Sequence, residues 1–292
     1  MLNNVFSVIL LFVFAAPAVY AEPLQVVVSI LPQKWLTEQV GGDKVAVRVL
    51  LDKGQEPHGM EPTPEQVTAL FRAKLYFAVG LEFERGLLAK VEQAESKVQI
   101  VDTVAGIKKI SMTEHHDHDA HDEHDHEHGG LDPHVWLDPQ NLQKMAAVMA
   151  EALAKADPAN APVYQENLQA VSNKLTALHE AISSKLAPFK GQSFLVFHPA
   201  FGYFAHAYGL HQEAVEIEGK SPAPRQLYEL IAKAKREKVK VIFVQPQFDR
   251  RNAETIAQAI GGKVAALDPL AENVPENLRL MAEEISSALG GN

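Results

Sequence analysis

Seven histidines crowd into the fifteen residues Glu114–His128 (EHHDHDAHDEHDHEH), where His115, His116, His118, His121, His124, His126 and His128 are interspersed with seven carboxylates. Imidazoles among carboxylates leave no apolar face to bury, so the segment is expected to stay solvated and disordered. Its chemistry is metal ligation, because it offers many nitrogen and oxygen donors and imidazole suits zinc and copper. A solvated charge run is the plain structural alternative. Whether the tract is a binding site or an accessory to one depends on the other six of the thirteen histidines.

Four residues outside the tract share a context. His58 lies in Gly54-Gln55-Glu56-Pro57-His58-Gly59-Met60-Glu61-Pro62-Thr63-Pro64, and His134 follows Asp132-Pro133. His198 closes the apolar run SFLVF and precedes Pro199; Asp268 closes VAAL and precedes Pro269. Each falls just past an expected strand or in a loop between elements, where open parallel sheets bind ligands. The prolines narrow the local backbone, so a preset ligand loses less entropy when a metal arrives. Three imidazoles and one carboxylate fill a tetrahedral zinc shell. A histidine taken alone is more often structural, and His179 on a long helix, His206 in a helix and His211 at a strand start are read that way. Glu56 and Glu61 beside His58 are read as solvent-facing or loop-capping rather than as general bases.

The elements that must position these residues alternate. Gln25–Ile30, Val45–Leu50, Leu75–Val79 and Val98–Val101 read as strands, with helices to Val40, from Thr63-Pro64 through Arg72, and over Phe83–Gln93. Thr63-Pro64 and Asp138-Pro139 are cap-plus-proline helix starts, the second helix running to about Ala156. From Pro158 to Leu186 the series Val163, Leu168, Val171, Leu175, Leu178, Ile182, Leu186 marks one amphipathic helix of about 28 residues, roughly 40 Å long. The alternation then resumes. Ser193–Phe197, Ala214–Ile217, Val239–Val244 and Val264–Leu267 read as strands, and Pro199–Tyr208, Pro224–Glu237, Arg251–Ile260 and Glu276–Leu289 as helices. The expected fold class is α/β: two lobes of parallel-sheet β/α units joined by one long helix. The expected organisation is a signal peptide at 1–21, an N-terminal lobe at 22–157 carrying the loop 114–128, a linking helix at 158–187 and a C-terminal lobe at 188–292.

Composition removes several function classes. The first 21 residues carry no charged side chain, and their apolar run ends in Val19-Tyr20-Ala21 before Glu22. That pattern predicts an export signal cleaved after Ala21, and the run is about half the ~20 residues a spanning helix needs. With no cysteine in the chain, disulfides, thiolate zinc sites, thiol catalysis and a lipid anchor are excluded together. The net charge is −10, but outside the tract 27 basic residues face 30 acidic ones. A nearly neutral body argues against nucleic acid and supplies no polybasic membrane patch. The expectation is a soluble periplasmic monomer with no membrane anchor.

These motifs together resemble the periplasmic substrate-binding proteins of zinc and manganese ABC transporters, the cluster A-I or ZnuA/TroA-like family. The resemblance covers essentially the whole chain after residue 21. It is carried by Gly54–Pro64, by Asp132-Pro133-His134-Val135-Trp136-Leu137-Asp138-Pro139 and by Phe197-His198-Pro199-Ala200-Phe201-Gly202-Tyr203-Phe204. Glu218-Gly219-Lys220-Ser221-Pro222 and Leu267-Asp268-Pro269-Leu270 complete it. It implies a rigid linking helix, one Zn(II) held between the lobes by His58, His134, His198 and Asp268, and delivery to a membrane permease without catalysis. Some zinc members use water as the fourth ligand. Manganese members tend to carry glutamate where His198 stands, so a third imidazole moves the site toward zinc. The tract is then an accessory string of weak sites that raises local zinc concentration.

A manganese-type binder is the alternative within the family, and a secreted zinc hydrolase the alternative outside it. His116-Asp117-His118-Asp119-Ala120-His121 approaches an HxHxDH signature but places Ala120 where that motif needs aspartate, and no HExxH occurs in the chain. A catalytic zinc also keeps an open coordination position, which three histidines and Asp268 would close.

Overall fold

The computed structural model describes residues 22–112, 130–216 and 223–291. The expected signal peptide, the histidine tract and the Glu218–Pro222 motif lie outside the described residues. Eight strands are described: β1 Leu24–Val28, β2 Val45–Val49, β3 Leu75–Ala78, β4 Gln99–Asp102, β5 Ser193–Val196, β6 His211–Ala214, β7 Val241–Val244 and β8 Lys263–Ala266. The helices are α1 Leu31–Gly41, α2 Pro64–Arg72, α3 Glu82–Gln93, α4 Pro139–Ala156, α5 Ala161–Leu186, α6 Gly202–Tyr208, α7 Pro224–Arg236, α8 Arg250–Ile260 and α9 Val274–Gly290.

The strands form two parallel sheets, in the orders β2-β1-β3-β4 and β6-β5-β7-β8. Each lobe therefore repeats one winding, with its topological switch point between its first and third strands. Every residue of β3 (LYFA) is buried, as a strand covered on both faces must be. In β5, Phe194 and Val196 join one buried cluster while Leu195 and the following Phe197 join another, which is the two-residue alternation of a pleated strand.

The expected elements are present, with two differences in the second lobe. The strand expected at Ala214–Ile217 is His211–Ala214 instead, paired from Ser193↔His211 to Val196↔Ala214. Its polar sequence HQEA hides an edge strand: Gln212 is buried against α6, and Glu213 on the other face is ion-paired with Lys233 of α7. The helix expected from Pro199 starts at Gly202. Residues 199–201 stay outside it, with the Phe201 N–H donating to the Gln212 side chain at 2.9 Å.

The long helix α5 has 26 residues and follows a short 3-10 turn, Pro158–Asn160. It buries Tyr164, Val171, Leu175, Ile182 and Leu186 and packs on α1 and α4 of the first lobe and on α6 and α9 of the second. One continuous apolar cluster consequently runs from Val26, Val28 and Phe77 through α5 to Val196 and Phe243. The lobes share this core. Trp136 adds a polar tie, since its buried indole N–H donates to the Pro269 carbonyl at 2.7 Å.

The first lobe's switch point is closed by its own side chain. Glu84, in the first turn of α3, accepts from the N–H groups of Val79 (3.0 Å), Gly80 (2.7 Å) and Leu81 (3.2 Å) and from the Ser29 hydroxyl. Burial pushes its carboxyl pKa up, against the opposing pull of those donors. Because the folded value lies above the unfolded one, the group's contribution is complete below about pH 4.3 and is lost as pH rises through the folded value. The stability advantage of wild type over Glu84→Gln should therefore shrink between about pH 4 and pH 7, as read from urea midpoints. A gap that widens with pH would mean that the four donors outweigh burial. In the linking helix, Leu175→Ala should cost about 2–5 kcal/mol while exposed Glu166→Ala stays within about 0.5 kcal/mol; equal costs would deny α5 its role in the shared core.

Candidate metal centre

His58 sits in the loop between β2 and α2. Its conformation is set by Glu56, whose carboxylate accepts from the N–H groups of His58 (2.7 Å) and Gly59 (2.9 Å), so Glu56 caps the loop. Downstream, Thr63 and Gln66 form a reciprocal capping box that starts α2. His134 follows β4 and precedes a 3-10 turn, Val135–Leu137, and the Asp138 cap of α4. His198 leaves the carboxyl end of β5. Its carbonyl accepts from Gln245 at 2.7 Å, and its ring stacks on Phe248 with centroids 5.0 Å apart.

These three imidazoles converge. One nitrogen from each of His58, His134 and His198 lies within 4.8 Å of the other two, and they form such a group among the described residues. The Nε2 atoms of His58 and His198 are 3.2 Å apart. A tetrahedral zinc with Zn–N bonds near 2.0–2.1 Å separates its ligand nitrogens by about 3.4 Å, so this pair already stands at coordination distance. His134 and His198 are 3% and 4% exposed; His58 is the accessible member of the set.

Two carboxylates set the tautomers. Asp132 Oδ1 lies 2.8 Å from His134 Nδ1, and Glu216 Oε2 lies 2.8 Å from His198 Nδ1. A carboxylate only accepts, so each Nδ1 carries the hydrogen and each Nε2 keeps a free lone pair. Both lone pairs are thereby available to a cation before it arrives. Among the described residues, His58 has no comparable carboxylate at its Nδ1. Burial, then the neighbouring His198, lowers its pKa below the usual imidazole value, which keeps it neutral and ready to ligate. Sequence reasoning passed over Asp132 and Glu216. Asp132 had a signal, two residues before His134 in the same motif; Glu216 stands 18 residues past His198 and had none.

Asp268 stands outside the converging group. Its Oδ1 accepts from Gln247 at 2.9 Å and from the Leu270 N–H at 3.0 Å, and its carbonyl accepts from Asn277 at 2.6 Å. The remaining histidines are elsewhere. His179 contacts Gln140 at 3.2 Å and stacks on Tyr208; His206 is exposed on α6, and His211 opens β6. The seven tract histidines lie outside the described residues. Beside His58 a cleft of about 790 Å³ opens over the first lobe, walled by Leu81, Glu82, Asp102 and Pro133.

Residues 26–288 match the family described as "Zinc-uptake complex component A periplasmic", ZnuA. The chain belongs to this family. It is 33% identical over 255 residues to the high-affinity zinc uptake system protein ZnuA of Bacillus subtilis, covering 85% of this chain and 79% of that one. A putative metal-binding protein of Treponema pallidum is 31% identical over 268 residues, covering 89% and 83%. Among solved structures, a ZnuA deletion mutant with zinc bound superposes with a TM-score of 0.83 at 35% identity, over 91% of this chain and 98% of that one. The ZnuA family is a transporter-component family, and its architecture of two parallel-sheet lobes with a long helix between them is the one described above. Among the described residues, no helix is long and apolar enough to cross a membrane.

Proposed function

We propose that the chain captures Zn(II) outside the cytoplasm and hands it to the membrane permease of an ABC-type uptake system. The observation that carries this reading is the convergence of three imidazoles, two of them backed by carboxylates, Asp132 buried and Glu216 partly buried. Three neutral nitrogens suit zinc over manganese, which favours oxygen donors. Asp132 and Glu216 together offset the 2+ charge of the ion, while the three imidazole ligands themselves stay uncharged. Family membership and the zinc-bound relative support the same reading.

Capture proceeds from the exposed ligand inward. Zinc meets His58 first, at the edge of the cleft; the hydrogen that His58 Nε2 donates to His198 Nε2 passes through solvent to His58 Nδ1, which frees both Nε2 lone pairs for the ion. It is then held by the preset Nε2 lone pairs of His134 and His198. In this reading Asp268 turns from Gln247 to supply the fourth ligand, and water takes that place where it does not. No bond of a substrate is broken, and the chain acts as a carrier. The rest of the reading follows: export by a signal cleaved after Ala21, a periplasmic monomer, a 158–187 link between lobes at 22–157 and 188–292, and weak accessory binding by His115–His128.

Metal analysis of tag-free protein, followed by zinc titration against a chelator, tests the reading; manganese retained in place of zinc would move it to the manganese type. His198→Ala should weaken zinc by several orders of magnitude, Asp268→Ala by less, and His206→Ala by less than about twofold. Equal losses at His198 and His206 would sink the ligand assignment. Glu216→Gln, which leaves every ligand in place, should weaken zinc by about 10–100-fold.

A further inference from the structure

Asp132 belongs to the first lobe, yet its carboxylate ends against the second. Oδ1 holds both the N–H and the ring of His134, each at 2.8 Å. Oδ2 is buried and has no hydrogen-bond partner among the described residues. It faces Gly202, the first residue of α6. A Cβ placed on Gly202 would lie 2.5 Å from Asp132 Oδ2, 3.1 Å from Gln212 Nε2 and 3.3 Å from Ile110 Cδ1. Real Cβ atoms do not approach an oxygen so closely. The φ of Gly202 is outside the left-handed range that favours glycine, so its conformation does not call for that residue. What calls for it is space.

The neighbouring contacts bind the same two pieces together. The Tyr203 hydroxyl accepts from the Ile110 N–H at 3.3 Å and donates to the Lys108 carbonyl at 3.4 Å. The Asp132 N–H donates to the Ile110 carbonyl at 2.9 Å. Gln212 is anchored in turn by accepting from the Phe201 N–H at 2.9 Å. The first turn of α6 is therefore a platform from the second lobe on which the Asp132–His134 unit of the first lobe rests.

We infer that Gly202 and Asp132 are positioning residues for zinc: the missing side chain at 202 lets the second lobe seat Asp132, and Asp132 aims His134 at the ion. His134 is thus oriented through a contact between the lobes, and that contact completes the ligand set. This inference rests on the zinc reading of the site.

The test is a double-mutant cycle on the full chain, using Gly202→Ala, Asp132→Ser and both together. Zinc affinity is read by chelator competition and the melting temperature on metal-free protein. Gly202→Ala should weaken zinc by about 10–100-fold, as loss of an outer-shell partner does. Asp132→Ser should do likewise, and it removes the oxygen that the new methyl group would strike. On that background Gly202→Ala should add less than about a twofold change. Wild-type affinity in Gly202→Ala, or an equal further loss on the Asp132→Ser background, overturns the inference. If Gly202→Ala alone does not fold, recovery of a folded protein in the double variant supports it, and failure to recover overturns it. If wild type binds no zinc, the zinc reading fails by itself. The melting temperatures then decide the contact: coupling of the two substitutions upholds it, and additivity overturns it.

Discussion

The fixed apposition of two carboxyl sheet edges is the constraint on which everything else depends. Parallel strands deliver their following loops to one edge, and each lobe winds its strands in the same order. A site between two such edges exists only if the edges are held face to face. The apolar cluster that passes from Val28 and Phe77 through Leu175 and Ile182 to Val196 and Phe243 does this without a hinge of thin contacts. Interiors pack like crystals and transmit displacement, so a core shared by both lobes sets the spacing of His58, His134 and His198 to within the reach of one ion.

Electrostatics refines what packing sets. His134 and His198 are buried, and a buried imidazole with both nitrogens unpaired would be costly. Asp132 and Glu216 resolve this by each accepting a hydrogen bond from Nδ1, which leaves each Nε2 lone pair facing the ligand point. The same carboxylates leave buried negative charge beside the site, and a divalent cation is the partner that best relieves it. Glu84 shows the contrasting use of a buried carboxylate. Its oxygens are consumed by backbone N–H groups at the first lobe's switch point, so they hold a loop in place and take no part in the histidine centre.

Much of this was legible in the sequence because it is written in local patterns. Cap-plus-proline pairs at Thr63-Pro64 and Asp138-Pro139 marked two helix starts to the residue. The β-branched and apolar runs marked seven of the eight strands, and apolar residues at three- and four-residue spacings marked α5. The edge strand His211–Ala214 differs from the expected Ala214–Ile217 because its polar residues His211, Gln212 and Glu213 carry no apolar strand signal; Gln212 and Glu213 are covered through polar partners from distant segments. At the site, the proline-flanked histidines could be picked out, but Glu216 could not, because nothing local ties it to a ring 18 residues earlier.

The sequence by itself determined the alternating elements, the absence of thiol chemistry, and three of the residue types that meet at the centre. These follow from short-range rules of capping, periodicity and composition. Only the tertiary structure decided that those three imidazoles meet within 4.8 Å, that Asp268 accepts from Gln247, and that the space over Gly202 belongs to Asp132. Such facts depend on side chains from separate lobes sharing one volume. That arrangement is set by how the common core packs, and local sequence carries no record of it.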